Sequence, residues 1–136
     1  MALFCGKSKK MVEGLFKSFS RLDAKLHGWI KMSDYMDYSA GAAWMDGEII
    51  PISEAKISVL DWGLTRSDIT YDVVHVWNGA FFRIDDYLER FMTSMGKLRL
   101  NVGLDKEEIR SALITLISTS GLKSAYVSMV ASRGIP

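Results

Sequence analysis

Residues 61–90 read DWGLTRSDITYDVVHVWNGAFFRIDDYLER, and the architecture of the chain turns on how this run is divided. TYDVVHVW is rich in β-branched and aromatic residues and alternates with period two, so it predicts a strand. Asn78-Gly79 supplies the positive φ angles of a tight turn and folds the chain back into AFFRI as a second strand. Asp85 then predicts the N-cap of a helix through about Leu98, with Leu88, Phe91, Met92, Met95 and Leu98 turned inward. Strand, turn, strand and helix within thirty residues set the pattern for what lies on either side.

Upstream, AAWMDGEIIP predicts a hairpin about Asp46-Gly47, and KISVL a further extended run. Downstream, LDKEEIRSALITLISTSG predicts a second helix, with Asp105 and Glu108 forming a capping box and Gly121 closing the C-terminus. SAYVSMVAS alternates as a strand. The order β-β, β-β, α, α, β predicts an α+β fold: an antiparallel-rich sheet with two helices on one face. Its other face must then meet something besides the chain's own helices.

Before Gly41 the character differs. In SKKMVEGLFKSFSRLDAKLHG, Met11, Leu15, Phe16, Phe19, Leu22 and Leu26 recur at helical spacing, and lysines and Arg21 fill the remaining surface. Residues 1–31 carry seven Lys/Arg against two acids, a net +5, whereas the rest carries ten against fourteen, a net −4. This divides the chain into a basic amphipathic helical extension and connection, residues 1–40, and a mildly acidic domain, residues 41–136. Packing on its own domain or on a second subunit is the ordinary role of such a helix. Contact with a partner or an anionic membrane is the alternative, and would make the chain a non-catalytic interaction module.

With 136 residues the chain is the size of one domain. The single cysteine, Cys5, excludes an internal disulfide framework and points to a reducing, cytoplasmic setting. One Cys and two His argue against a structural zinc site, no apolar run approaches the roughly 20 residues that span a bilayer, and nothing suggests nucleic acid as a partner. No nucleophile–base pair and no phosphate-cradling glycine loop is visible, so no catalytic residue is assigned. Arg90, early on its helix, has the planar fork that suits a phosphate. Spacing alone favours a solvated helix arginine paired with Asp86 at i−4. Tyr71, Val73 and His75 share one strand face.

The run GAAWMDGEIIPISEAKISVLDWGLTRSDITYDVVHVWNGAFFRIDDYLERF resembles the small N-terminal domain of the class IV (fold-type IV) pyridoxal-phosphate aminotransferases. That family includes branched-chain and D-amino-acid aminotransferases, aminodeoxychorismate lyase and the (R)-selective amine transaminases. The resemblance rests on Asp61, Gly63, Leu64, Ser67-Asp68, Asn78-Gly79 and Phe82-Arg83-Ile84-Asp85 with Arg90, and continues through GLKSAYVSMVASRG. Within the family, SDITYDVVHVWNG and GAAW are most similar to the (R)-selective amine transaminases. The resemblance implies that Arg90 grips the cofactor phosphate and that Tyr71, Val73, Arg66, Tyr126 and Ser128 line the substrate pocket. It implies pyridoxal 5'-phosphate as cofactor, an amine or amino acid and a keto acid as substrates, and a homodimer when full length. It also implies that the cofactor-binding lysine lies in a larger C-terminal domain beyond Pro136. This chain would then be a truncated portion, inactive alone, of a transaminase or of a related lyase. The open sheet face would meet the cofactor and a second subunit, leaving apolar surface exposed in the isolated chain.

Overall fold

The structure is a computed structural model that describes residues 1–6 and 36–136. The amphipathic helix expected over residues 9–28 lies outside the described residues. Among the described residues ten elements follow in chain order. They are strands β1 (Ala2–Gly6), β2 (Gly41–Met45) and β3 (Glu48–Pro51), a 3-10 turn (Ile52–Glu54), and helix α1 (Trp62–Arg66). Strands β4 (Ile69–Trp77) and β5 (Ala80–Phe81), helices α2 (Ile84–Leu98) and α3 (Lys106–Ser120), and strand β6 (Ala125–Ser132) complete the set. The six strands form one sheet in the order β3-β2-β1-β6-β4-β5, and every pairing is antiparallel.

Strand alternation decides what the helices cover. Leu3 and Cys5 of β1, Val74 and Val76 of β4, and Val127, Met129 and Ala131 of β6 are buried together. They share a core with Leu88, Phe91 and Met95 of α2 and Ile109, Leu113, Leu116 and Ile117 of α3. The alternate residues face the other way: Phe4, Tyr71, His75, Trp77 and Tyr126 are exposed, Tyr71 and Trp77 each at 72%. The expected α+β sheet with two helices on one face is thus observed, and among the described residues no element covers its second face. On an ordinary monomer surface such a run of aromatics is unusual and marks a place where something else packs.

Several local expectations hold for the stated reasons. Asp46 and Gly47 turn β2 into β3 with φ of 52° and 93°. Asp105 accepts from the backbone N–H of Glu107 and Glu108, while Glu108 accepts from the Asp105 N–H, so the capping box of α3 is complete. Gly121 ends that helix at φ 66°. Asp105→Ala should therefore cost about 1 kcal/mol, read as a lowered urea midpoint with an unchanged slope.

Other expectations are corrected. The first residues are not part of a helical extension: β1 pairs with both β2 and β6, so residues 2–6 belong to the middle of the sheet. AFFRI contributes only the two-residue β5, because Arg83 takes a left-handed conformation (φ 49°) and caps α2 in place of Asp85, which lies inside the first turn. Leu98 is 45% exposed at the end of α2. KISVL is not a strand; Ile57, Val59 and Leu60 lie exposed in the connection to α1, where no strand among the described residues offers backbone partners.

Candidate functional site

β4 presents two different surfaces within a few residues. Its odd-numbered side chains face the open side, and register with β6 sets Tyr71 opposite Val130, Val73 opposite Ser128, and His75 opposite Tyr126. Residues directly opposite in an antiparallel pair have neighbouring side chains on one face. Four of the expected pocket residues, Tyr71, Val73, Tyr126 and Ser128, are therefore gathered into one patch, in which the His75 and Tyr126 ring centroids lie 3.9 Å apart. β5 pairs only with Val76 and Trp77, so among the described residues no strand runs along that margin of the earlier part of β4.

The even-numbered residues point to the helices, and there Asp72 interrupts the apolar series Val74, Val76. It is 8% exposed. An acid in that position needs a cation, since an isolated buried carboxylate is costly. α2 supplies one: Arg90 donates from Nε to Oδ2 of Asp72 at 2.7 Å and from Nη2 to Oδ1 at 2.6 Å. The backbone N–H of Val73 donates to the same Oδ1 at 2.7 Å, and the Arg90 guanidinium carbon sits 4.8 Å from the centroid of the Tyr87 ring. The Asp86 partnership expected from helix spacing does not form; Asp86 pairs with Arg83 instead.

Burial alone would raise the Asp72 carboxyl, but the hydrogen bonds from Arg90 and Val73, with the guanidinium charge, outweigh it and hold the group below the usual carboxylate range. The same hydrogen bond pushes Arg90 upward, so it stays charged. A folded-state pKa below the unfolded one contributes stability above the unfolded value of about 3.9 and loses it as pH falls through the folded value. Wild-type chain should thus be more stable than Asp72→Asn near neutrality, the two converging in acid. Urea midpoints between pH 2 and 7 measure this; a constant difference across that range would contradict it.

Arg90 remains accessible although it is paired. Its side chain is 63% exposed while that of Asp72 is 9% exposed. Guanidinium carries five N–H donors in a rigid fork. Asp72 takes Nε–H and one hydrogen on Nη2, which leaves the Nη1/Nη2 edge facing outward. Tyr71, Asp72, Val73, His75, Tyr87, Arg90, Ser94 and Tyr126 together line a shallow depression of about 550 Å³ beside β4. The expected phosphate group and three of the expected pocket residues thus share one concavity, with Ser128 beside Val73 in register. Arg66 is not among its lining residues; its guanidinium stacks 4.5 Å over Trp62 on α1. Among the described residues no lysine lines the depression either.

The rest of residues 61–68 serves as scaffolding. Asp61 caps α1, accepting from Gly63 N–H at 2.6 Å and from the Ser132 hydroxyl of β6. Gly63 is buried, and a side chain there would run into Ser132. Asp68 accepts from Arg133 Nε at 2.8 Å, and Arg133 also reaches the carbonyls of Leu98 and Arg99 at 2.9 and 2.6 Å. One arginine thereby ties the entry to β4 to the end of α2. A second cleft, of about 430 Å³, lies between this segment and the N-terminus, lined by Met1, Lys56, Leu64, Ile69, Val130 and Ile135 among others. Among the described residues no group of His, Cys, Asp and Glu is arranged to hold a metal, and no helix is long and apolar enough to cross a membrane.

The fold has counterparts among known proteins. Residues 70–136 match the family described as amino-transferase class IV. The putative branched-chain-amino-acid aminotransferase of Methanocaldococcus jannaschii is 26% identical over 92 residues, 68% of this chain and 32% of that protein. The D-alanine aminotransferase of Staphylococcus haemolyticus is 27% identical over the same length, 68% of this chain and 33% of that protein. Among solved structures, the branched-chain aminotransferase of Thermoproteus uzoniensis superposes with a TM-score of 0.62 at 30% identity, covering 68% of this chain and 33% of that one. A putative 4-amino-4-deoxychorismate lyase from Legionella pneumophila, 14% identical with a TM-score of 0.57, shares the fold. The chain spans about a third of the length of these aminotransferases. The chain is thus similar, through residues 70–136 and through its sheet and helices, to the N-terminal part of the class IV amino-transferases.

Proposed function

We propose that this domain supplies the small-domain half of a pyridoxal-phosphate-dependent site for transferring an amino group between an amine or amino acid and a keto acid. The observation that carries the reading is Arg90: charged, held by Asp72, exposed along one edge, and set in the same depression as Tyr71, Val73 and Tyr126. The cofactor's phosphate fits that edge, since the Nη1/Nη2 fork offers parallel donors matched to two anionic oxygens. Among the described residues no lysine lines the depression, so this reading assigns the covalent anchor to another part of the complete enzyme. When bound, the cofactor supplies the electron sink for the carbon that carries the amino group.

The chain's own residues bind, orient and shield. Arg90 fixes the phosphate end. Tyr71, Val73, Tyr126 and Ser128 form the wall beside the reacting end, apolar apart from two phenols and one hydroxyl, and so exclude water on that side. The exposed aromatic face, including Trp77 and Phe4, is the surface that a larger domain or a second copy covers in the complete homodimeric enzyme. The motifs SDITYDVVHVWNG and GAAW support the (R)-selective amine transaminases as the most similar subgroup, with the branched-chain and D-amino-acid aminotransferases next. Treating the chain with pyridoxal phosphate, then borohydride, and weighing it tests the division of labour. The proposal expects no stoichiometric adduct at a single lysine. A full adduct at one lysine would show that this chain carries its own anchor.

A further inference from the structure

The mechanism above uses Arg90 and leaves its partner without a role. Asp72 is nearly buried, sits on the helix side of β4 and cannot itself face an anion. Its two oxygens are nonetheless fully engaged, Oδ2 with Arg90 Nε, and Oδ1 with both Arg90 Nη2 and the Val73 N–H. The carboxylate is therefore anchored to the backbone of the strand that also carries Tyr71 and Val73. The guanidinium is gripped along one edge by Asp72 and packed on one side against Tyr87. Two such restraints fix both the plane of the group and the edge it turns outward.

We propose that Asp72 is the positioning residue of the anion site, locking Arg90 so that only its Nη1/Nη2 edge meets a phosphate. This rests on the reading of Arg90 as the phosphate group. Two effects of Asp72 oppose each other. Its charge partly neutralises Arg90 and by Coulomb's law weakens anion binding. Its bonds remove in advance the rotational freedom that a long arginine must otherwise surrender on binding. Positioning requires the second effect to win, so removing the carboxylate weakens phosphate binding even though it also removes a negative charge. A purely electrostatic neighbour gives the opposite sign.

The experiment is a titration of the 136-residue chain with inorganic phosphate, followed by NMR of backbone amides and of the Arg90 side-chain N–H groups. In the wild-type chain phosphate should shift the Arg90 Nη hydrogens and leave Nε–H nearly unmoved, since Asp72 holds it. An Nε–H that moves as much as Nη overturns the proposal without any variant being made. Asp72→Asn, with its other amide signals in place, should bind phosphate about threefold to tenfold more weakly, the range that one unrestrained side chain implies, and should lose the Nε/Nη contrast. Unchanged or tighter binding by Asp72→Asn overturns the positioning role. Arg90→Ala separates the two ideas. If it abolishes binding while Asp72→Asn does not weaken it, only positioning fails. If phosphate binds Arg90→Ala as well as wild type, the reading of Arg90 itself fails.

Discussion

Phe91→Ala should destabilise the chain by about 3–5 kcal/mol, the range for removing a buried aromatic ring from a core. Phe91 is fully buried and packs in the cluster that joins α2 to the sheet and to α3. Against a total stability on the order of 5–15 kcal/mol for a domain, such a loss is large enough to leave part of the population unfolded at room temperature. The position matters for the site as well. Phe91 is the inward neighbour of Arg90 on α2, and the seating of that helix determines whether Arg90 reaches Asp72 across β4. Urea unfolding measures the cost, and a change below about 1 kcal/mol would mean that α2 does not rest on the sheet as described.

Gly63→Ala is the second large effect, and its cause is local. An added Cβ would stand 2.6 Å from Ser132 Oγ and 2.9 Å from Asp61 Oδ1, inside the contact distances that real side chains adopt. Those two atoms are bonded to each other, so the methyl group would push apart the link between α1 and β6. Overpacking of this kind costs about 1–3 kcal/mol. Removing the hydroxyl should relieve part of it. The double variant Gly63→Ala/Ser132→Ala is expected to recover some stability over Gly63→Ala, although Ser132 alone contributes a hydrogen bond to the native chain. Thermal unfolding of the three variants decides the matter. A double variant whose loss equals the sum of the singles would show that the crowding lies elsewhere.

What could be read in the sequence was governed by short-range rules. Asp105, Glu108 and Gly121 specify α3 within their own turns, and the alternation of Thr70 to Trp77 specifies β4. The same alternation placed Tyr71, Val73 and His75 on one face, and the match with β6 then added Tyr126 and Ser128. Long-range pairing escaped. ALFCG is too short to declare a strand, and its position between β2 and β6 depends on partners far along the chain. Arg83 gave no sign of its left-handed cap, and the five-residue α1 was missed because its cap, Asp61, is secured by Ser132 from the far end of the chain. For the site, Arg90 was identified but its partner was not, since spacing pointed to Asp86 and Asp72 lies 18 residues away on another element. A usable signal was present: Asp72 stands in the apolar phase of β4 beside Val74 and Val76, where an acid requires a cation. Family pattern groups Arg66 with the pocket; in the structure it stacks on Trp62, outside the depression around Arg90.

The central claim is that Arg90 and the open face of β4 and β6 form half of a pyridoxal-phosphate site, and backbone amide shifts on titration with pyridoxamine 5'-phosphate test it most directly. That compound keeps the ring and the phosphate while lacking the aldehyde, so surface lysines cannot capture it. The shifts should gather at Tyr71, Val73, Arg90, Tyr126 and Ser128 and vanish in Arg90→Ala. Shifts centred instead on the cleft of Met1, Lys56 and Ile135, or shifts that survive in Arg90→Ala, would contradict the account.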